Sequence, residues 1–424
     1  MADDDILSDD LLRQLISVGE VDILVGLHTH NHAETVGHVV QVIRDGLLKY
    51  FPRERVAIVN ADGGSQDRTI DLVRAVSISD VGNVSTIQAL RTMHIVSTQY
   101  SGTPSAGKAM HIVMAAADLL RAKACVIVAP ESSEIQPEWI DRLLRPIFQE
   151  HFDFVTPVYR RHRFEGILVT NLLYPMTSAL YGRQVREPRP AEFAFSAEFT
   201  GRLLGHELWT ADAGRLGPEI CFTVEALSDG LRIFQTFLGP KGRLEQSPDL
   251  VVALRQTVGP LFWSMERTNS KWSAENQIQR VPTFGPEFEV TSQAVNVDRK
   301  RLHHMFRSGV GDLQDVLKSI LSPGTLTQLQ HATTLEEDKF QFADELWVRT
   351  IYEFAASYHH EVINRDHILQ ALAPLYRGRA YAFLTQNSDA SADRLEARTQ
   401  ELIQSFERSK PYLLELWTVK ERGS

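Results

Sequence analysis

The sequence predicts an α/β protein with a mostly parallel central sheet, followed by an all-helical C-terminal region. Three observations carry this reading. Short apolar runs rich in β-branched residues recur through the first half of the chain, helical patterns separate them, and from about Ser247 onward the strand-like runs stop. Strictly alternating strands and helices imply crossovers that cover both faces of a parallel sheet.

In chain order, strands are expected at 21–25, 56–59, 94–96, 124–128 and 154–158, with helices at 36–48, 70–76 and 109–120. A helix at 222–228 and a strand at 231–237 follow. The linker is expected at 239–249, with a second irregular stretch at 281–286. Beyond it, Trp347, Ile351, Phe354 and Tyr358 fall at i, i+4, i+7 and i+11, as do Leu395, Thr399, Leu402 and Phe406, with Ser391 or Asp393 available as caps. Pro374 should kink or divide the helix around it. Trp347, Tyr352, Tyr358 and Tyr376 read as core. The domain reading is an acidic helical segment over 1–20, the sheet domain over 21–246 and a helical domain over 247–424.

The 424 residues allow two domains with ample core, and 23% charged with 43% hydrophobic residues is ordinary globular composition. A formal net charge of −10 argues against broad nucleic-acid binding. The two cysteines, Cys125 and Cys221, lie in apolar segments and read as buried thiols rather than a disulfide or a zinc site. The N-terminus is acidic where a signal peptide would be basic and then apolar, and no run reaches the length of a membrane span, so a cytoplasmic protein is expected.

Two strand ends carry the first chemistry. Val56-Ala-Ile-Val59 runs into Asn60-Ala-Asp62-Gly63-Gly64-Ser65-Gln-Asp67-Arg-Thr69, which puts a carboxylate and several backbone N–H groups at the carboxyl edge of a sheet, where open α/β sheets bind ligands. The glycines permit positive φ or close backbone approach, and Ser65 and Asp67 suit a helix start. A well-capped strand-helix turn explains the same residues. The first strand ends in His28-Thr-His30-Asn31-His32-Ala-Glu34-Thr35. On an extended segment His28, His30 and His32 would share one side, a spacing that suits a metal, hydrogen bonding at a ligand mouth, or structure alone.

These two segments resemble the first and second strand ends of family-2-type glycosyltransferases of the GT-A fold, the nucleotide-diphospho-sugar transferases. Asn31 and Thr35 match the usual first pattern, while His28 and His30 replace its Pro and Tyr. Gly107-Lys108-Ala-Met110 resembles the family's Gly-Lys-Gly segment. Val126-Ile-Val-Ala129-Pro130-Glu131, followed by Pro137-Glu-Trp139-Ile140, resembles its Asp-x-Asp strand and Pro-Glu-Trp-Ile sequel, with Ala129-Pro130-Glu131 standing at Asp-x-Asp. Arg186 to Phe195, Gly217-Pro-Glu219-Ile and Leu238 to Arg243 resemble, in order, the acceptor segment, the acidic residue near the reacting centre and the Lys-x-His segment of mannosylglycerate and glucosyl-3-phosphoglycerate synthases.

The resemblance covers most of residues 21–245 and implies transfer of a sugar from a UDP- or GDP-sugar to a small acceptor, acidic in the glycerate or phosphoglycerate manner, with retention of configuration. It places His28, His30, Asn31, Glu34, Asp62, Gly63, Lys108, Glu131, Lys241 and Arg243 at the nucleotide sugar, with Asp62 at the base, and Glu192 and Glu219 at the reacting centre. It implies Mg²⁺ or Mn²⁺ and no organic cofactor. Of the expected metal ligands only Glu131 is kept, because Arg243 stands where the family has His. A guanidinium binds phosphate and not metal, so Arg243, with Lys241 and Lys108, is expected either to clamp the diphosphate in the metal's place or to pair with Glu131. Glu219 would orient or deprotonate the acceptor hydroxyl, or simply open a helix. Arg160-Arg161-His162-Arg163 would receive an acidic acceptor or form a solvated loop. A catalytically degenerate nucleotide-binding or regulatory protein and a histidine-rich metal-dependent hydrolase are the competing classes. The helical region would complete the acceptor side or a homodimer interface.

Overall fold

A computed structural model describes residues 6–76, 93–162, 164–241, 249–275, 277–291, 298–337 and 339–418. The chain divides into two compact units. The first holds residues 1–159, 189–244 and 281–287, and the second holds 160–188, 245–280 and 288–424.

The first unit opens with α1 (Asp9–Val18), capped by Ser8, whose hydroxyl accepts from Leu11 N–H at 3.3 Å. Next come β1 (Ile23–Thr29), α2 (Val36–Tyr50), β2 (Val56–Asp62), α3 (Thr69–Ala75), β3 (Met93–Gln99), α4 (Ala106–Leu119), β4 (Ala124–Val128), α5 (Pro137–Glu150) and β5 (Phe154–His162). The unit resumes with β6 (Phe193–Ser196), α6 (Ala197–Leu204), α7 (Asp212–Leu216), α8 (Pro218–Ser228), β7 (Ile233–Pro240) and β8 (Thr283–Phe284). The strands form one sheet in the order β8-β7-β5-β6-β4-β1-β2-β3. β1 pairs in parallel with both β2 and β4, and β2 with β3, while β6 runs antiparallel between β4 and β5.

The expected mostly parallel sheet is therefore present, and its central strands are buried except at His28, which is half-buried. Ile23, Val25 and Leu27 face one way, into a core with Val39, Val40 and Ile43 of α2 and Ile140, Leu143 and Leu144 of α5. On the other face α4 comes so close that a Cβ on Gly26 would lie 2.4 Å from Val113. Helices on both faces explain why the strands read as unbroken apolar runs rather than alternating ones.

The second unit is largely helical: α9 (Leu250–Arg267), α10 (Arg299–Asp312), α11 (Gln314–Ile320), α12 (Pro323–Thr334), α13 (Asp344–His360), α14 (Arg365–Gln386) and α15 (Ala392–Thr418), with a shorter helix at Tyr174–Tyr181. Trp347, Tyr352 and Tyr358 are buried, as are Leu395, Leu402 and Phe406. Ser391 supplies the expected cap, accepting from Arg394 N–H at 3.3 Å. Glu353, buried in the same unit, collects hydrogen bonds from Ser322, Thr325 and Tyr412 and so fixes the start of α12.

Four sequence readings change. Pro374 does not divide α14, which runs unbroken through it, and Gly309 of α10 leaves room for the proline ring: a Cβ there would lie 2.4 Å from it. Strand structure does not stop at 247, since Glu289–Thr291 pairs with Arg160–His162 and Gln279–Arg280 with Arg183–Gln184, while β8 occupies the stretch read as irregular. The basic run is the end of a strand rather than a loop, with Arg163 outside the described residues. Finally, β7 continues through Pro240 and α9 starts at Leu250, so the expected linker falls mostly on 242–248, outside the described residues. Among the described residues no helix is long and apolar enough to cross a membrane.

Candidate functional site

The loops after β1 and β2 are laced together. Asn31 adopts a left-handed conformation with φ 57°, which turns the chain off the strand axis just after His30. The expected alternation of His28, His30 and His32 on one side therefore fails, because it needs extended backbone. The turn presents Asn31 N–H to Ser65 Oγ (2.8 Å), His32 N–H to Thr69 Oγ1 (2.8 Å) and Ala33 N–H to Asp67 Oδ2 (3.0 Å), while Asn31 Oδ1 accepts from Gln66 N–H (2.9 Å). Asp62 organises the other loop. Fully buried, it accepts from Gly64 and Ser65 N–H at 3.0 and 2.7 Å and from the hydroxyls of Thr29 and Ser65 at 2.7 and 2.6 Å. Its acceptor positions are thus spent inside the protein, which differs from the expected contact with a nucleotide base. Gly64, with φ 87°, makes the tight return to Asp62 sterically free.

A cavity of about 300 Å³ opens beside these loops, at the carboxyl ends of β1 and β4. His28 lines it from β1, Glu131 and Ser132 from the turn after β4, Arg189 from the segment before β6, Glu219 from α8 and Lys241 from the end of β7. The topology gathers these residues from across the first unit, at the sheet edge where ligands bind in open α/β folds.

Two ion pairs, together with the carboxylates of Glu131 and Glu134 on the wall, set its electrostatics. Glu192 is fully buried and does not line the cavity; Lys241 Nζ donates to both its oxygens at 3.2 and 3.1 Å, and the hydroxyls of Ser132 and Tyr159 donate to it as well. Burial pushes the Glu192 carboxyl up, but the Lys241 ammonium and the hydroxyl bonds more than offset it, holding it below the usual carboxylate range. Lys241 also sits 4.6 Å from the centre of the Tyr159 ring, a cation–π contact that fixes its head group. The second pair is looser. Glu219, in the first turn of α8 where the helix dipole favours a carboxylate, lies 3.8 Å from Arg189 Nε. Its Oε2 and that Nε are both buried and make no hydrogen bond.

Of the sequence-predicted residues, His28, Glu131, Glu219 and Lys241 line the cavity, and Glu192 stands behind Lys241. His30, Asn31, Glu34, Asp62, Gly63 and Lys108 do not line it. Lys108 is exposed and donates to Ser101 O at 2.9 Å. Arg243 lies outside the described residues, so neither its clamp role nor its pairing with Glu131 is described. The basic run is neutralised within the second unit: Arg161 makes a bidentate pair with Glu187 at 2.8 Å, and Arg160 lies 3.5 Å from Glu289. Sequence reasoning missed Arg189, whose signal was a cation inside the acceptor-like segment, and Ser132 and Tyr159, which carry no local signal.

Among the described residues the donor set does not fit a resident divalent cation. Ala129 and Pro130 offer no side-chain ligand, and among the described residues no group of three or more His, Cys, Asp or Glu could hold a metal. His32, whose Nε2 is 3.9 Å from Glu131 Oε2, is committed otherwise. Its Nδ1 accepts from His30 N–H at 3.0 Å, so the hydrogen-bond network assigns the proton to Nε2, which makes that atom a donor rather than a ligand. Burial holds this imidazole below its ordinary pKa despite the nearby Glu131 carboxylate.

No family model matches the sequence, and no curated protein matches it. Among solved structures, the chain is similar to glucosyl-3-phosphoglycerate synthase from Mycobacterium tuberculosis. The complex with phosphoglyceric acid aligns at TM-score 0.43 and 19% identity over 60% of this chain and 83% of that one. The complex with Mn²⁺, uridine diphosphate and glucosyl-3-phosphoglycerate gives 0.43 and 22% over 60% and 83%. The complex with Mn²⁺, UDP-glucose and glycerol 3-phosphate gives 0.43 and 21% over 61% and 84%.

Proposed function

We propose that this chain is a glycosyltransferase that moves a sugar from a UDP- or GDP-sugar to a small acceptor of the glycerate or phosphoglycerate type, with retention of anomeric configuration. One observation carries the reading: four residues from separate motif segments, His28, Glu131, Glu219 and Lys241, converge on one cavity at the carboxyl edge of the sheet. The acceptor class and the stereochemistry come from the motif resemblance alone.

In the transfer, the bond between the anomeric carbon and the diphosphate oxygen breaks, its electron pair leaving on the diphosphate. The acceptor hydroxyl oxygen bonds to the anomeric carbon, and its proton passes to the carboxylate of Glu219, which lines the cavity. His28 and Glu131 face the donor, and Asp62 acts at one remove by holding the loop that carries Gly64 and Ser65. Glu192 holds Lys241 in place.

The test is a thermal-shift and transfer screen of UDP-, GDP- and ADP-sugars, with glycerate and 3-phosphoglycerate as acceptors and the product anomer read by NMR. At least one donor should raise the melting temperature and be consumed. Glu219→Gln should lower kcat by about 10² or more while keeping the donor-induced shift. Donor binding without turnover across the panel would favour a degenerate transferase, and no binding at all would overturn the reading.

A further inference from the structure

Among the described residues, Arg189 and Lys241 are the two cationic side chains on the wall of the 300 Å³ cavity. Their environments differ in a way that fits a ligand. Lys241 is held by Glu192 and the Tyr159 ring with its side chain still 22% exposed, so the ammonium is placed as a fixed charge. Arg189 is not fixed in this way. Its guanidinium has only the 3.8 Å approach to Glu219, its Nε is buried without a hydrogen bond, and its side chain is 35% exposed. Apart from that approach the guanidinium makes no hydrogen bond or ion pair among the described residues, so the N–H groups on its exposed part are open to an oxyanion in the cavity. Glu219, itself 7% exposed with one oxygen unpartnered, shows the same unfilled hydrogen-bonding capacity on the adjoining wall.

We propose that Arg189 and Lys241 form a seat for an oxyanion of the substrate, a phosphate or carboxylate group held by side chains directly and without a metal. The guanidinium supplies a planar fork that meets two oxygens, and the ammonium supplies a point charge. This inference rests on the reading of the cavity as the substrate site. It differs from the clamp the sequence suggested, Arg243 with Lys241 and Lys108: Lys241 is kept, Lys108 does not line the cavity, Arg189 does, and Arg243 lies outside the described residues. Two sources can supply the oxyanion, the donor's diphosphate and the acceptor's acid group.

The experiment measures binding by calorimetry in EDTA, using inorganic pyrophosphate, UDP and 3-phosphoglycerate as separate probes on the full chain. At least one should bind, and Arg189→Gln should weaken that probe about tenfold or more, with Arg189→Lys recovering part of the loss. Because Lys241→Met strands a buried carboxylate, it is paired with Glu192→Gln in a double variant, and thermal melting shows that each protein is folded. Loss confined to pyrophosphate and UDP assigns the seat to the donor, and loss confined to 3-phosphoglycerate assigns it to the acceptor. Binding that requires Mn²⁺, or affinities unchanged in folded Arg189→Gln and in the double variant, overturns the seat while leaving transferase activity standing. A seat that behaves as expected in a protein that transfers no sugar would instead overturn the proposed function alone.

Discussion

At the scale of single residues, Asp62 shows how one carboxylate organises two loops. The motif around it was legible in the sequence, but its role was not, because the spacing does not reveal which way the side chain turns. Its oxygens accept four hydrogen bonds from within the protein. Asp62→Ala would leave the half-buried N–H groups of Gly64 and Ser65 and the Ser65 hydroxyl without their acceptor, a loss of about 2 kcal/mol or more. Asp62→Asn should cost only about 1 kcal/mol. Its amide oxygen can take the Gly64 and Ser65 N–H groups, while its NH₂ faces hydroxyls that can rotate to accept; Thr29 Oγ1 has an alternative acceptor in Asn60 Oδ1 at 3.0 Å. Urea denaturation of the two variants checks the order, and equal losses would show that the loop depends on the charge instead. Arg189 was missed for the converse reason: a lone arginine between prolines has no periodic context, and only the fold brings it next to Glu219.

At the scale of elements, the long parallel strands and their helices were legible because each buries a continuous apolar run or a regular stripe. The short strands were not. β6 spans four residues, and β8 and Glu289–Thr291 are shorter still, too few to show a period of two. Gly107 makes a sharper case. The Gly-Lys resemblance pointed to Lys108 and gave the glycine no role of its own, yet it lies in the first turn of α4, where a Cβ would come 2.0 Å from the Gly214 carbonyl oxygen and 2.8 Å from Arg215 Cα. The glycine lets α4 rest directly on the backbone of α7. Since the obstacle is backbone rather than a side chain that could swing aside, Gly107→Ala should destabilise the protein by about 2 kcal/mol or more, despite alanine's better helix propensity. Lys108→Ala, one residue on and exposed, should stay within about 0.5 kcal/mol of the wild type. Thermal melting of the pair tests this, and a stabilised Gly107→Ala would mean that α4 shifts freely.

At the scale of the whole molecule, composition set the class of protein and the topology set the site, but the response to acid depends on a contact that neither predicts. His111 of α4 stacks flat on Trp209, ring centres 4.2 Å apart, and burial lowers its pKa from the ordinary 6.5 to about 4. Between those values the unfolded chain binds a proton at this imidazole and the folded protein does not, so stability rises with pH across the window and falls on acidification from about 6.5 towards about 4. Glu192 adds a later loss. Its folded pKa lies below the ordinary 4.5, so its contribution is present above that value and is lost as pH falls through the folded one. The two groups separate experimentally. His111→Phe keeps a ring against Trp209 without a titrating nitrogen, so its melting temperature should fall less than that of the wild type between pH 7 and pH 5, the two curves running parallel above about pH 7 and below about pH 4. Parallel curves over the whole range would show that the stacked imidazole takes its proton as readily in the folded state as in the unfolded one.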